Sequence, residues 1–538
     1  VALFAGALAL LNGCAAVGPD YVRPEAPVDA AWLTQQPESP DGKPAAPVDQ
    51  NWWETFSDPT LTALIRSAYA QNLTLRAAGL RVIESRARRG IAVGQFFPQV
   101  QQASGGFSHN HPSEHGAFPV EGDSYEMGNV GVDAAWELDF WGKFRRGIES
   151  ADADVLATVA DYDSVLVTLV SDVATDYISI RALEQQLDYS RANVELQKDT
   201  LALTETRFKA GAVSELDVAT ARATLSNTQA LVPSQENDLR QAKLALCVLL
   251  GRTPSELEAE LATPEGAAPP PNRVPVAPDR IAVGIPADLL RRRPDVRSAE
   301  RVAAAQSARI GAAKADFYPS ISISGSTGYS SVNVDDSRHL HISDIADSQS
   351  FYGFIGLAVN WPVLNYGRIE NNVRVQDALY EESVAAYRQS VLQAASDVEG
   401  GLSVFLKSRE RLGFLQESVA AAQRSVELSL IQYRTGATDF IRVNTAQTQL
   451  VTQQIDMVSA QAATALGAVR TFRALGGGWE IRQGAEFVDP ETQKRMTDRT
   501  NWGDVMTPNW DEGKDLGFPR PRSEQQNENA PPEQTPAK

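Results

Sequence analysis

The helical sequence of this chain repeats itself at a fixed offset of 225 residues. Trp136 recurs as Trp361, Gly142 as Gly367 and Gly211 as Gly436. Ser171-Asp172-Val173 recurs as Ser396-Asp397-Val398, and Leu250-Gly251 as Leu475-Gly476. A duplication this long, without a gap, points to two like halves arranged about a symmetry axis. Within it, four short segments between residues 98 and 361 alternate apolar and polar side chains. Alternation with period two puts one face against an apolar medium and the other against water, the pattern of a membrane barrel wall.

The second segment is the clearest. Val130, Val132, Ala134, Trp136, Leu138 and Phe140 fall on one face, and Asn129, Gly131, Asp133, Glu137 and Asp139 on the other. The third sets Ile321, Ile323 and Tyr329 against Ser322, Ser324 and Ser326, and the fourth aligns Phe351, Ile355, Leu357, Val359 and Trp361. The first, after Pro98, is the weakest, with small residues and Gln on both faces. Tilted strands of about ten residues can cross a bilayer. Aromatic residues crowd the segment ends, Phe96, Phe97, Trp141, Phe144, Phe317, Tyr318 and Tyr366 on one side and Tyr125, Tyr329 and Tyr352 on the other. Such girdles sit at membrane interfaces. A soluble sandwich is disfavoured, because only two hairpins exist and helices rather than further strands flank them.

Helical periodicity starts after Asp58-Pro59, where Asp can cap and Pro fits the first turn, and continues to Phe96. A second helical stretch runs for about sixty residues from Lys143 to Phe208, with Val155, Val159, Tyr162, Leu166, Leu169 and Val173 as a heptad-like seam. The other copy shows Val384, Tyr387, Val391, Ala394 and Val398. At 1.5 Å per residue such a helix is roughly 90 Å long. Each long helix ends in a tight turn, Lys209-Ala210-Gly211-Ala212 or Arg434-Thr435-Gly436-Ala437, and each turn leads into a returning helix.

The organisation predicted along the chain has six parts. Residues 1–13 are the remnant of a signal and 14–50 an extended Pro-rich strap. Residues 51–251 form the first repeat, 252–280 a Pro-rich linker and 281–478 the second repeat, followed by a polar, mostly disordered tail over 479–538. The run ending Leu10-Leu11-Asn12-Gly13-Cys14 resembles a bacterial lipoprotein signal. The resemblance implies a covalent lipid on Cys14, diacylglycerol with an N-acyl chain, and Ala15 after it implies export to the outer membrane. Cys247 reads as a buried apolar residue. A net charge of −19 argues against a nucleic-acid partner. No phosphate loop, nucleophile constellation or zinc spacing is present, so no enzyme activity and no other cofactor are expected.

Four membrane strands cannot close a barrel, and an open edge in lipid leaves backbone groups unpaired at several kcal/mol each. The chain must therefore supply staves to an oligomer. Three copies would give twelve strands, with the helices continuing as a second, helical cylinder. Six stretches carry a specific resemblance: Tyr21-Val22-Arg23-Pro24-Glu25-Ala26-Pro27, Trp136-Glu137-Leu138-Asp139, Leu289-Leu290-Arg291-Arg292-Arg293-Pro294-Asp295, Ala315-Asp316-Phe317-Tyr318-Pro319-Ser320, Tyr433-Arg434-Thr435-Gly436 and Ala474-Leu475-Gly476-Gly477-Gly478-Trp479. Through them the chain resembles the TolC/OprM-type outer-membrane efflux channels, in the lipoprotein branch that serves resistance–nodulation–division (RND) pumps.

The resemblance implies a membrane α+β fold. It is a homotrimeric TolC-like channel with a twelve-stranded β-barrel, a periplasmic α-barrel and an entrance closed at rest. It implies a lipid-anchored protein of the bacterial outer membrane that works as the passive exit duct of a tripartite efflux pump. The partners would be a periplasmic adaptor, an inner-membrane RND transporter and outer-membrane lipid. The turn tips Ala210, Gly211, Ala212, Thr435, Gly436 and Ala437 would meet the adaptor, although Gly at a turn also has a purely conformational reason. Leu216 and Ile441 match the apolar ring that constricts the entrance. Thr445 stands where related lipoproteins carry an acidic ring and Thr448 where an Arg is expected, so Asp217, Asp439 and Arg442 are the substitutes considered for an ionic lock.

Five histidines, His109, His111, His115, His339 and His341, fall in the two loops between paired strands. Tripled by symmetry they could bind Zn²⁺ or Cu²⁺. Mobile loops seldom fix a metal geometry, which favours plain polar loop tips. Two other functions fit parts of the pattern: an outer-membrane channel for type I protein secretion, and a lipid-anchored periplasmic coiled-coil scaffold. The lipoprotein start argues against the first and the girdled strands against the second.

Overall fold

Helix α1 (Pro59–Gln71) begins where Asp58 Oδ1 accepts hydrogen bonds from the backbone N–H groups of Thr60 (2.9 Å) and Leu61 (3.1 Å), with Pro59 in the first turn. A computed structural model describes residues 16–29, 31–34, 51–111, 124–261, 273–283, 292–333, 340–482 and 485–506. The helical periodicity expected to run unbroken to Phe96 is interrupted at Asn72. Its backbone turns extended, and its Oδ1 accepts from Leu75 N to cap a second helix, α2 (Leu73–Gly94). Periodicity alone does not see this break, because the apolar face continues across it.

From the Phe96-Phe97 corner the chain enters β1 (Val100–Asn110) and returns as β2 (Tyr125–Leu138). Helix α3 (Lys143–Lys209, 67 residues) and its return α4 (Glu215–Leu250) complete the first repeat. The predicted linker is partly helical: α5 (Pro254–Leu261) buries Leu257, and Val274 and Ile281 reach the same core. The second repeat follows as α6 (Pro294–Ala315), β3 (Ser320–Asn333), β4 (Phe351–Asn360), α7 (Arg368–Thr435, 68 residues) and α8 (Phe440–Ala474). Each long helix is about 100 Å.

The four strands form one antiparallel sheet in the order β1-β2-β3-β4. Register runs Gln101↔Ala134, Trp136↔Ile323 and Ile323↔Leu357, so these residues share one face. β1 and β4 are the two edges, and neither has a second neighbour among the described residues. The two repeat-related tryptophans make matching bonds at the base of the sheet. Trp136 Nε1 donates to Phe96 O (3.0 Å) and Trp361 Nε1 to Phe317 O (3.0 Å). Each pins a helix–strand corner to the start or end of the neighbouring strand.

The duplication is also written in backbone conformation. Gly142 and Gly367 precede the long helices with φ of 78° and 81°. Gly211 and Gly436 follow them, and Gly251 and Gly476 follow the returning helices, all with positive φ. All the residues predicted to line the two helix seams are buried. The main core lies at mid-length, where Trp52, Trp53 and Phe56 pack on α3 and α8. Trp52 stacks on Phe472 with ring centroids 5.0 Å apart. Cys247 is buried in the same core.

The N-terminal strap has no core of its own and runs along the helices. Val17 N donates to Trp141 O (3.0 Å), Arg146 holds Asp20 (2.8 Å), and Glu399 accepts from the backbone of Leu33 and Thr34. Gly18 lies so close to Gly311 that neither position has room for a side chain. At the other end, the expectation of a mostly disordered tail is corrected for its first part. Residues 485–506 include α9 (Pro490–Thr497), capped by Asp489. Val488 and Met496 pack with Ile83 of α2, and Phe487 lies over Arg86. The apolar residues there are too sparse for a periodic signal. Residues 507–538 and Cys14 lie outside the described residues.

Candidate functional site

Two surfaces follow from this architecture, the faces of the sheet and the tips of the two helical hairpins. On the sheet, alternation and register sort most residues to one face or the other. The face with Val130, Val132, Ile355, Leu357 and Val359 is strongly exposed in the single chain, Ile355 by 81 %. The opposite face carries Asn129, Asp133, Glu137, Ser322, Ser324 and Ser326. An apolar outside and a polar inside are what a water-filled barrel in lipid requires. None of the described helices is long and apolar enough to cross a membrane.

At the opposite end, both turns close alike. Gly211 N donates to Phe208 O (2.8 Å) and Ala212 N to Arg207 O (2.9 Å). In the second copy, Gly436 N donates to Tyr433 O (3.1 Å) and Ala437 N to Gln432 O (2.8 Å). Both glycines are exposed, and a side chain at Gly211 would meet nothing within 4 Å. Steric room is thus not what selects glycine; the left-handed backbone is.

The two tips are locked to each other by a cluster the sequence reading missed. Tyr433 is buried against Phe440, with ring centroids 5.7 Å apart, and Ala221 and Val443 close the group. The Arg207 guanidinium lies 4.5 Å from the Tyr433 ring centroid and donates to the Tyr433 carbonyl. The repeat offset contained a signal. Tyr433 is the counterpart of Phe208, and Phe208 is 42 % exposed, so one aromatic of the pair anchors the tips while the other faces outward.

The residues matched to the entrance sit just beyond the turns. Leu216 and Ile441 are repeat counterparts and both are exposed, by 73 % and 59 %. Asp217 is committed to a capping box. Its carboxylate accepts from Ser214 N (3.0 Å) and Ser214 Oγ (2.9 Å), while Ser214 Oγ accepts from Asp217 N. Thr445 Oγ donates back to Ile441 O (2.8 Å), and Arg442 is exposed on the same turn of α8.

Above the tips, α3 and α8 are joined by a polar ladder. Gln185 bonds Gln461 (3.3 Å), Asn193 bonds Gln454 (2.6 Å) and Thr200 bonds Gln447 (2.8 Å). The steps of seven between Gln447, Gln454 and Gln461 were legible as a heptad row, but polar residues do not register in a search for apolar seams. Higher on α3, Asp172 pairs with Arg473 (3.2 Å), and burial with the Asp172 charge pushes the Asp176 carboxyl up to about 6. Asp163 is fully buried with Arg482 against it, and burial raises its carboxyl above the usual range.

Of the histidines expected in loops, His109 lies instead in β1, opposite Glu126, with Nδ1 3.5 Å from Glu126 Oε1, and His111 Nδ1 bonds Ser124 Oγ (2.8 Å). His341 caps the single turn Ile342–Ile345, its N–H donating to Asp344 Oδ2. His115 and His339 lie outside the described residues. Among the described residues no three His, Cys, Asp or Glu side chains converge as a metal site.

A membrane-facing sheet on paired 100 Å helices, built twice, matches one described family. Residues 64–252 and 285–477 match outer membrane efflux proteins. The chain belongs to that family. It is accordingly an outer-membrane efflux channel and not an enzyme. The solvent efflux pump outer membrane protein SrpC of Pseudomonas putida is 31 % identical over 484 residues, covering 89 % of this chain and 98 % of SrpC. The probable outer membrane lipoprotein SilC of Salmonella typhimurium is 28 % identical over 471 residues, 87 % of this chain and 97 % of SilC. Among solved structures, the outer-membrane channel OprN is 30 % identical and superposes with a TM-score of 0.75 over 86 % of this chain and 99 % of OprN. The TolC-like fold expected from the sequence, four strands and duplicated long helices, is the fold found here.

Proposed function

We propose that three copies close a twelve-stranded barrel and a coaxial helical tunnel, and that this trimer is the passive exit duct of a tripartite efflux pump. The supporting observation is the four-stranded sheet, whose two edges have no further neighbour among the described residues, with one lipid-compatible face. It is incomplete alone and completed by copies of itself. An inner-membrane RND transporter supplies the energy, and a periplasmic adaptor grips the tips at Ala210, Gly211, Ala212, Thr435, Gly436 and Ala437. Leu216 and Ile441 form the apolar constriction, with Arg442 as its charged neighbour. Asp217 serves the helix cap first, and the neutral Thr445 leaves no carboxylate for an acidic ring there. Cys14 carries the lipid anchor, consistent with a relative described as a lipoprotein.

Planar-bilayer recording on detergent-solubilised trimer tests the duct. Discrete, low-conductance channels are expected, and Ile441→Ala should raise the conductance. A preparation that assembles but never conducts, with or without Ile441→Ala, would leave a scaffold as the function.

A further inference from the structure

Besides Tyr125 at the end of β2, the polar face of the sheet carries two aromatic side chains on β4 that alternation does not call for. Tyr352 and Phe354 of β4 lie on the face of Ser326 and Asp133, and Phe354 is 61 % exposed. One row across the strands reads Phe354↔Ser326↔Asp133. The adjacent row reads Tyr352↔Gly328↔Gly131. Gly131 clears a slot for the Tyr352 ring: the Tyr352 hydroxyl lies 2.5 Å from where a Cβ at Gly131 would be, whereas Gly328 is bare because the backbone of Val130 and Gly131 passes there. Glycine at position 131 costs strand stability, so the slot needs a reason. The ring reaches from β4 to Gly131 of β2, two residues along that strand from Asp133 on the same face. Asp133 and Glu137 are the only charged residues on this face of the four strands.

We infer that Tyr352, Phe354 and Asp133 form a subsite for organic cations on the lumen wall of the barrel, repeated three times around it. An aromatic face attracts a cation, and a carboxylate about 10 Å across the sheet suits a bulky solute lying over both. The subsite rests on the trimeric duct proposed above and adds a chemical preference to it.

The test is block of single-channel current in planar bilayers by tetraphenylphosphonium added from the side of the strand loops. Wild-type current is expected to be blocked, and Phe354→Ala or Asp133→Asn to weaken the block about tenfold. Phe354→Tyr should keep it, and the outward-facing Ile355→Ala should leave it unchanged. In assembled trimers a water-soluble maleimide should label Phe354→Cys and spare Ile355→Cys. Conducting trimers that tetraphenylphosphonium does not block, or blocks equally in wild type, Phe354→Ala and Asp133→Asn, would overturn the subsite and leave the duct standing. A protein that neither assembles nor conducts would overturn both.

Discussion

Gly436 sits at φ 78° on an exposed turn, with the Arg207 guanidinium 3.6 Å from where its Cβ would be. A leucine there would strain the backbone by about 1–2 kcal/mol, too little to unfold helices of this length. Gly436→Leu should therefore still assemble while losing drug resistance in a complemented deletion strain. Normal resistance would remove the tip from the adaptor contact. At Asp176 the effect is on stability. Its folded-state carboxyl titrates near 6, above an unfolded value of about 4, because burial and then Asp172 disfavour the charge. The folded protein thus holds this proton more tightly. The stabilisation is complete below about pH 4 and is lost as pH rises through 6. Asp176→Asn should raise the unfolding temperature at neutral pH by the equivalent of about 1 kcal/mol after solvent screening, with the gain closing toward pH 4. A gain independent of pH would assign the effect to packing instead.

Between elements, the polar ladder of α3 and α8 sets how the two hairpins meet. Asn193 and Gln454 are both buried and bond at 2.6 Å. Removing one partner strands the other. Asn193→Leu alone should cost about 1–3 kcal/mol in thermal unfolding, and adding Gln454→Leu should recover much of it. Strictly additive losses would deny the coupling. The ladder also shows where sequence reading stops. The strands, the long helices, their apolar seams and their turns were legible because each has a period or a glycine that physical chemistry requires. The break at Asn72 was not, since a cap inside a continuous apolar stripe leaves the stripe intact. The Tyr433–Arg207 lock was not, since it joins residues 226 positions apart through a carbonyl and a ring face. The entrance residues were found by likeness and by the repeat. Only the geometry showed that Asp217 is occupied with Ser214.

At the scale of the molecule, the segment after the second repeat packs against the helices. Residues 485–506 cover Ile83 and Leu80 of α2, and Gly79 is bare because the Phe487 carbonyl passes where its side chain would be. Truncation after Met506 keeps that cluster, whereas truncation after Gly478 deletes it. The second should lose several kcal/mol of stability relative to the first. Equal melting would show that the covering adds nothing. The two bare rims of the sheet have a consequence before any transport begins. A newly exported chain presents β1 and β4 as open templates, and the first strand to arrive from any neighbour can zip onto them. In the trimer proposed above, ring closure competes with endless sideways growth, a race decided by how quickly three copies meet.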